Sequence, residues 1–427
     1  MIKTPDVSRR LFGGILDYDG AGYYPGLELL NFVYSIDGDI LHPGESAVKL
    51  HRRTHNFARQ LVWDENFAEN PQRRNVLFDE DSEDAIRRLL ECLQVDIPNM
   101  SKSAPSWERA HFFPYTPSLI HWDARRGRAG SNRIGIERRY LRGAGAFAHH
   151  VLRMDPDKTR HARCRDGFIK LFPERQTALE RLTKVLLDKG ASDTTPYTDE
   201  IEAQSEVRND HHDDFYRNGV ANILEHAELS VVARVRALMN FTAFWLLLIQ
   251  HARASAHLGK QPSFIVADCG ATHPQLRRVS QRCFKDLQQV IVDASLDEAG
   301  TEEQWAKQGR NRIRGFFWAT AATIGLLNSW SGRRHFTLGI NILETLALTA
   351  TRGSEEIPFE QFIDEWLYEQ CSIVVGRRAA ERAGLLASLD ASIFEDNEAR
   401  LAVQMKAAGL LTEYSDATQM IGTGGLR

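Results

Sequence analysis

The chain has 427 residues, of which 43% are hydrophobic and 26% are charged, and its formal net charge at pH 7 is −4. This length and composition predict a folded protein of two or three domains and exclude a wholly disordered chain. The slightly negative charge excludes a globally basic nucleic-acid-binding protein, so that any nucleic-acid contact must come from a local patch.

Cysteine spacing and hydropathy bear on the cellular compartment. The chain has five cysteines, an odd number without a CxxC pair: Cys92, Cys164, Cys269, Cys283 and Cys371. This pattern favours reduced thiols over a disulfide scaffold or a zinc ribbon. No long apolar run follows Arg9 and Arg10, and the most apolar run, Ala237 to Ile249, is shorter than the roughly twenty residues that cross a bilayer. We expect a cytoplasmic protein without membrane contact.

Residues 1–190 are expected to form an N-terminal α+β domain. A helix is predicted from Glu45 to Leu61, which would place His51 and His55 on one face. The pair suits two metal ligands, but it lacks the glutamate of a zinc-protease signature and shares its segment with several arginines. We interpret this segment as a solvated helix face.

The most basic stretch of the sequence is predicted to be a β-hairpin. Leu119 to Trp122 and Arg133 to Leu141 are its predicted strands, joined by a turn at Gly127 to Asn132. Seven arginines crowd it: Arg125, Arg126, Arg128, Arg133, Arg138, Arg139 and Arg142. Guanidinium groups can bind phosphate oxygens bidentately, whereas charges on a strand edge can also serve only to prevent aggregation. Both interpretations remain open, and these arginines are the candidate nucleic-acid-binding residues.

A polar connector at Ala191 to Asp199 leads into a predicted helical core domain at 200–350. Its first segment contains a cluster of acids and histidines, Asp210 to Asp214, with the sequence DHHDD. The cluster lies at a polar helix start, where acids cap free N–H groups and complement the helix dipole. Capping is the interpretation that we favour.

Within this cluster, His212 and Asp213 resemble the signature dipeptide of HD-type phosphohydrolases, whose His and Asp side chains hold divalent metals. The resemblance implies a metal site that would make hydroxide at neutral pH and bind a phosphoester. An earlier histidine and a later aspartate would complete the ligand set: His149, His150 or His161, and Asp268. A metal-dependent phosphoesterase or nuclease is therefore the alternative function.

The core domain is predicted around a long apolar helix from Ser230 to His257. A buried strand at Ser263 to Ala267 ends in Asp268, a position in which α/β proteins place functional side chains, although no glycine-rich phosphate loop accompanies it. Three arginines, at 310, 312 and 314, precede an aromatic helix from Phe316 to Trp330. Arginines beside aromatics suit nucleic-acid binding, but aromatics at helical spacing are more typical of a core.

The C-terminal stretch, residues 355–424, has a pattern of three helices and a hairpin. Phe359, Phe362, Ile363, Trp366 and Leu367 recur at helical spacing. A short β-rich run to Val375 and a second helix from Arg377 follow. A third helix is predicted to begin near Asp396 or Asn397 and to end at Gly409, before a hairpin that runs to Ile421.

This order of elements resembles a winged helix. The resemblance implies a surface for binding duplex DNA or another protein, with the helix before the wing entering the major groove in the DNA-binding members. Here the first turn of that helix carries Glu395, Asp396 and Glu398, and basic residues come only later, at Arg400 and Lys406. Acids at that end repel phosphates, so a protein-contacting winged helix is favoured over a DNA-contacting one.

The sequence as a whole predicts a mainly α (α+β) multi-domain chain with a C-terminal winged-helix module. It resembles the accessory subunits of bacterial phage-defence or DNA-modification systems. That resemblance implies a non-catalytic scaffold in a multi-subunit complex, with other protein subunits and double-stranded DNA as partners, no catalytic residue and no cofactor. The metal alternative would place its ligands at His212 and Asp213.

Overall fold

The computed structural model describes a mainly helical chain with small sheets, as the sequence predicts. The residues described are 3–18, 25–36, 39–44, 48–53, 124–126, 134–136, 143–172, 196–201, 205–270, 273–300, 307–329, 332–415 and 418–424, with single positions at 85, 88, 89, 92, 93, 114 and 181. The amphipathic pattern of residues 173–189 also predicts a helix, and this segment lies almost wholly outside the described residues.

The chain divides into two compact units that are interleaved in sequence. The first contains Met1–Asp19, Asp155–Gly167 and Gln204–Arg427, and the second contains Gly20–Met154 and Phe168–Ala203. The first unit therefore includes the N-terminal residues, the helical core and the C-terminal segment, which the sequence assigned to three domains.

The second unit contains helices and two small antiparallel strand pairs. Its elements are α2 (Pro25–Ser35), β1 (Val48–Arg53), β2 (Ala124–Arg126), β3 (Ile134–Ile136), α3 (Ala144–Arg153) and β4 (Pro196–Ile201). Glu28 of α2 accepts hydrogen bonds from the backbone N–H groups of Gly143 and Gly145, both at 2.8 Å, and so caps α3. A side chain at Gly145 would collide with the α2 backbone, so glycine permits this close packing.

One predicted helix in this unit is wrong. Residues 48–53, within the helix predicted from Glu45 to Leu61, form β1, which pairs antiparallel with β4. His51 therefore lies on a strand, whereas His55 lies outside the described residues. Pro196 is the first residue of β4, a position where the missing N–H costs no interior ladder bond.

The first unit is built around one long buried helix. Its α-helices are α1 (Thr4–Phe12), α4 (Lys158–Leu171, to Gly167 in this unit), α5 (His211–Glu225), α6 (Val231–His257), α7 (Pro274–Ala299), α8 (Lys307–Thr323), α9 (Ile340–Ala350), α10 (Arg377–Arg382) and α11 (Ala391–Ala407). Ser230, the first residue of the predicted helix, caps α6, with its Oγ accepting from the N–H of Ala233 at 3.2 Å. Trp245 of α6 is fully buried and stacks on Tyr216 of α5 at 4.2 Å between ring centroids.

Helix α6 is also long and apolar enough to cross a bilayer, by length and composition alone. Within the described chain, 72% of its most apolar window is buried inside the protein. That environment is typical of a core helix.

Two sheets complete the first unit. Strand β5 (Ile265–Val266) pairs in parallel with β7 (Ile373–Val374). The second sheet has the order β6 (Ile357–Pro358), β9 (Thr418–Ile421), β8 (Leu411–Ser415), and all its pairs are antiparallel. Between β6 and β7 the chain forms a short α-turn that continues as a π-helix, Phe362–Gln370.

Candidate functional site

Two short antiparallel strands, β2 and β3, lie in the arginine-rich stretch. Strand β3 lies within the predicted strand from Arg133 to Leu141, whereas the predicted strand from Leu119 to Trp122 lies outside the described residues. Arg125 of β2 lies opposite Gly135 of β3, and Arg126 lies opposite Ile134. The predicted turn and the remaining arginines lie outside the described residues: Arg128, Arg133, Arg138, Arg139 and Arg142. The backbone pairing thus agrees with a hairpin in this region.

The acids of the cluster at 210–214 cap the N-terminus of α5. Asp210 Oδ1 accepts from the backbone N–H of Asp213 at 3.0 Å, which is the N-cap geometry that the sequence favoured. Asp213 has no exposed surface, and its Oδ2 accepts from the backbone N–H groups of Arg208 and Asn209, at 3.2 and 2.9 Å. Its Oδ1 accepts from Arg253 of α6 at 2.9 Å. Both oxygens of Asp213 are therefore occupied by protein donors.

Arg253 is the central cation of this cap. Its guanidinium also donates to Asp210 at 2.9 Å and to the backbone carbonyl of Phe12 at 2.6 Å. Burial raises the pKa of Asp213, and the positive charge of Arg253 opposes that shift. Arg253 thus ties α1 and the α5 N-terminus to the long core helix.

Buried arginines extend this polar network along α5, and none was identified from the sequence. Arg217 is fully buried and donates to Asp214 at 3.2 Å and to Asn209 at 2.6 Å. Arg160 of α4 forms a bidentate pair with Asp155 at 2.7 Å and also donates to Asp214, and these hydrogen bonds raise its pKa. The three acids at 210–214 are the sequence signal that could have identified these arginines. Acids can be buried only if cations lie nearby.

The histidines of the cluster face a different environment from Asp213. His211 and His212 have ring centroids 3.8 Å apart, and with His251 they line a cavity of about 130 Å³. Burial, aided by neighbouring imidazoles, lowers the pKa of His212 to about 4 and that of His251 to about 4. Both imidazoles are therefore neutral at pH 7.

The metal-ligand set that the phosphohydrolase resemblance implies is not assembled in the described structure. Within the described ranges, no three His, Cys, Asp or Glu side chains are grouped so that they could hold one metal ion. His212 lines the cavity while Asp213 is held by Arg253, so the dipeptide does not converge on one point. His149 contacts the carbonyl oxygen of Ile40 within the second unit, at 3.0 Å, and its pKa is lowered to about 3 by burial.

The carboxyl ends of β5 and β7 are held together by Asn397, a residue that the sequence identified only as a helix cap. Its Nδ2 donates to the carbonyls of Ala267 and Val375, both at 3.0 Å, and its Oδ1 accepts from the N–H of Cys269 at 2.9 Å. Asn397 is fully buried on the apolar face of α11. A polar residue within an otherwise apolar helical stripe was the signal that could have identified it.

Asp268, at the end of β5, lies in a small charged cluster. It is 2% exposed, and its Oδ2 lies 3.5 Å from Arg277 Nε and 3.7 Å from His335 Nε2. Burial lowers the pKa of His335, and the carboxylate of Asp268 opposes that shift. Burial also raises the pKa of the adjacent Cys269 thiol, so this thiol is not an activated nucleophile.

The C-terminal segment has three helical stretches followed by the β8–β9 hairpin, the order that the sequence predicts. Helix α11 begins at Ala391 rather than near Asp396, because Asp390 accepts from the N–H of Ser392 at 2.9 Å and caps it. Strand β7 pairs with β5, whereas β6, before the first helix, joins the hairpin.

The basic side chains of this segment are largely paired with its own carboxylates. Arg377 pairs with Glu395 at 2.7 Å, Arg382 pairs with Glu369 at 2.7 Å, and Lys406 pairs with Glu413. Arg378 contacts two carboxylates: Glu360 at 3.2 Å and Asp364 at 3.3 Å. Among the described residues of 357–424, Arg400 is the basic residue for which the structure shows no ion pair.

No known protein family, curated protein or solved structure matches this chain.

Proposed function

We propose that this chain is a non-catalytic subunit of a multi-protein bacterial assembly that acts on DNA. In this proposal the C-terminal segment, a winged-helix-like module, docks a protein partner, and the arginine-rich hairpin holds the DNA backbone. Accessory subunits of phage-defence or DNA-modification systems have this character. The proposal places the chain in the cytoplasm.

The pairing of the C-terminal cations is the observation that carries the docking part. A DNA-binding helix presents cations that are available to phosphates, because phosphate neutralisation supplies most of the affinity. Here Arg377, Arg378 and Arg382 each contact a carboxylate of the same segment. Phosphate binding would have to displace these carboxylates, so a protein partner is favoured.

Two exposed apolar side chains give this segment an interface character. Val403 of α11 is 64% exposed and Tyr414 of β8 is 63% exposed, and the Lys406–Glu413 pair links the two elements. Aromatic residues and accessible apolar residues are enriched where protein surfaces meet.

The phosphoesterase alternative gains no support from the described residues. The oxygens of Asp213 accept from Arg253 and from the N–H of Asn209, and no three His, Cys, Asp or Glu side chains of the described ranges are grouped so that they could hold a metal ion. A metal requirement would separate an enzyme from a scaffold.

The docking part is tested by affinity purification of the tagged full chain from its native host. A Val403→Asp/Tyr414→Asp variant should lose a partner that co-purifies stoichiometrically with the wild type. Ile340→Asp, at an exposed apolar position on α9 outside the segment, is the matched control and should retain it. Equal recovery with both variants would refute docking through this surface.

The DNA part is tested by retention of a labelled duplex as salt is raised. Arg125→Ala/Arg126→Ala should weaken retention and reduce its salt dependence, because two phosphate contacts are lost. Unchanged retention by this variant would contradict the hairpin assignment. Metal-dependent cleavage of the duplex that is abolished by His212→Ala would instead establish the enzyme.

A further inference from the structure

A second cluster of arginines lies in the first unit, around the partly exposed Trp318. Trp318 of α8 lies under the guanidinium of Arg334, whose Cζ is 4.5 Å from the ring centroid. Arg314 is four residues before Trp318 on the same helix, so the two share a face. Arg333 precedes Arg334 and is exposed. We call these residues, together with Arg277 of α7, the arginine–tryptophan patch.

The segment that carries Arg333 and Arg334 is fixed to its neighbours. Asn328 accepts from the N–H of His335 at 2.8 Å through its side chain, and its own N–H donates to the carbonyl of His335 at 3.1 Å. The next residue, Phe336, bonds through its N–H to Ser280 Oγ of α7 at 2.8 Å. Arg333 and Arg334 lie between α8 and α9 in the chain, next to residues that are bonded both to Asn328 and to α7. This fixed position lowers the entropy cost of binding.

Two described carboxylates close to the patch are buried and already paired. Asp268 is 2% exposed and faces Arg277 and His335, and Asp17 has no exposed surface and pairs with Arg312. In the described structure neither Arg314 nor Arg333 has an ion pair, and the guanidinium of Arg314 donates to the neutral Asn311 at 3.0 Å. Among the described residues, the charges of Arg314 and Arg333 thus have no carboxylate partner, unlike those of Arg377, Arg378 and Arg382.

The arginines of the patch also affect one another. Burial lowers the pKa of Arg334, and the nearby charge of Arg314 lowers it further. Two like charges held close together repel each other, and an anion that binds beside them relieves that repulsion. An ordinary solvated face would spread its cations or pair them, as residues 377–382 do.

We propose that the arginine–tryptophan patch is a binding surface for a nucleic-acid strand. Guanidinium groups match phosphate oxygens, and an arginine stacked on tryptophan provides planar groups on which bases can stack. The patch and the proposed hairpin contact would both bind nucleic acid, but they use different residues. An experiment can therefore disprove one contact without disproving the other. The sequence had assigned these aromatics to the core, and Phe316 and Phe317 are indeed buried.

The test measures binding of the full chain to a fluorescein-labelled oligonucleotide, either single-stranded or annealed to its complement. Salt is varied from about 50 mM to about 200 mM, the range over which phosphate contacts change affinity most. Arg314→Gln/Arg333→Gln should raise the Kd about tenfold at the lower salt and reduce the slope of log Kd against log salt by about two. The matched control is Arg378→Gln/Arg382→Gln, which removes the same net charge from paired arginines and should change the Kd less than about twofold.

An equal rise of the Kd in the control variant would show that only net charge affects binding, and it would overturn the proposed patch. Displacement of the oligonucleotide by poly-glutamate as effectively as by unlabelled DNA would overturn it in favour of an acidic protein.

If Arg125→Ala/Arg126→Ala abolishes binding while the patch variant binds like the wild type, the patch is rejected and the hairpin contact stands. The reverse result retains the patch and rejects the hairpin. Absence of binding by the wild type to either oligonucleotide overturns both nucleic-acid contacts and leaves the docking proposal intact.

Discussion

Arg253 contacts two carboxylates and a backbone carbonyl at the N-terminus of α5. It is 4% exposed, and its partner Asp213 is fully buried, so water cannot solvate either charge. Removing one member of such a pair leaves the other as an uncompensated buried charge, which is strongly destabilising. The acids of the cluster at 210–214 therefore serve the fold, whereas its histidines line a cavity.

Replacement of Arg253 should be strongly destabilising. Arg253→Met leaves Asp213 buried without its cation, and we expect a loss of about 3 to 5 kcal/mol in the free energy of unfolding, measured by urea denaturation. Arg378→Met, which removes exposed contacts to Glu360 and Asp364 that water screens, should leave the free energy of unfolding nearly unchanged. A loss below about 1 kcal/mol for Arg253→Met would show that the cap does not depend on the ion pair.

The buried imidazole of His251 predicts a stability change on acidification. Its pKa is lowered from 6.5 to about 4 in the folded chain, because burial disfavours the charged form. The unfolded chain therefore binds a proton at higher pH than the folded chain does. The contribution of neutral His251 to stability is complete above about pH 6.5 and is lost as the pH falls towards 4. The free energy of unfolding should decrease by about 3 kcal/mol at most from this source.

This pH dependence can be assigned to His251 by substitution. The unfolding free energy of His251→Leu should fall less steeply between about pH 6.5 and about pH 4 than that of the wild type. Gln250→Leu, which changes a buried side chain without a titratable group on the same helix, is the control and should keep the wild-type slope in that window. An identical slope in His251→Leu and wild type would exclude His251 as a source.

At the scale of elements, Asn397 joins three segments that are far apart in sequence. It lies on α11 and bonds the ends of β5 and β7, two strands that have only two residues each. A sheet of this size supplies few ladder bonds of its own, so its register depends on side chains that bond its free carbonyl and N–H groups.

Asn397→Ala should loosen this junction. It would leave two carbonyls and one N–H without their partner, at about 1 to 3 kcal/mol for each buried group. Peptide mass spectrometry after thiol labelling should show faster modification of Cys269, which is buried and whose N–H bonds Asn397. Asn311→Ala, at an exposed position, should leave the labelling rate unchanged. Continued protection of Cys269 in Asn397→Ala would show that the hydrogen bonds of Asn397 do not hold the ends of β5 and β7 together.

At the scale of the molecule, the first unit is assembled from three separate stretches of chain. Residues 1–19 contribute α1, whose Val7, Leu11 and Phe12 are buried. The carbonyl of Phe12 accepts from Arg253, and Asp17 pairs with Arg312 of α8. The N-terminal residues are therefore part of the core of this unit.

Truncation of Phe12 tests this arrangement. Phe12→Ala should lower the free energy of unfolding by about 3 to 5 kcal/mol, because a fully buried ring is removed and a cavity remains. Arg10→Ala, at an exposed position in the same helix, should change it by less than about 0.5 kcal/mol, as surface substitutions usually do. Similar stability of the two variants in thermal and urea unfolding would mean that α1 is peripheral.

The sequence by itself determined the local elements: the long apolar helix α6, the capping of α5 by acids of the cluster at 210–214, and the order of helices and hairpin at the C-terminus. These follow from hydrophobic period and capping chemistry, which act over a few residues. Only the tertiary structure decided that residues 48–53 pair as a strand with residues 196–201, because that partner lies well over a hundred residues away. It also decided that Asp390 rather than Asp396 or Asn397 begins α11. All three can cap a helix, and burial of Asn397 against β5 and β7 selects among them.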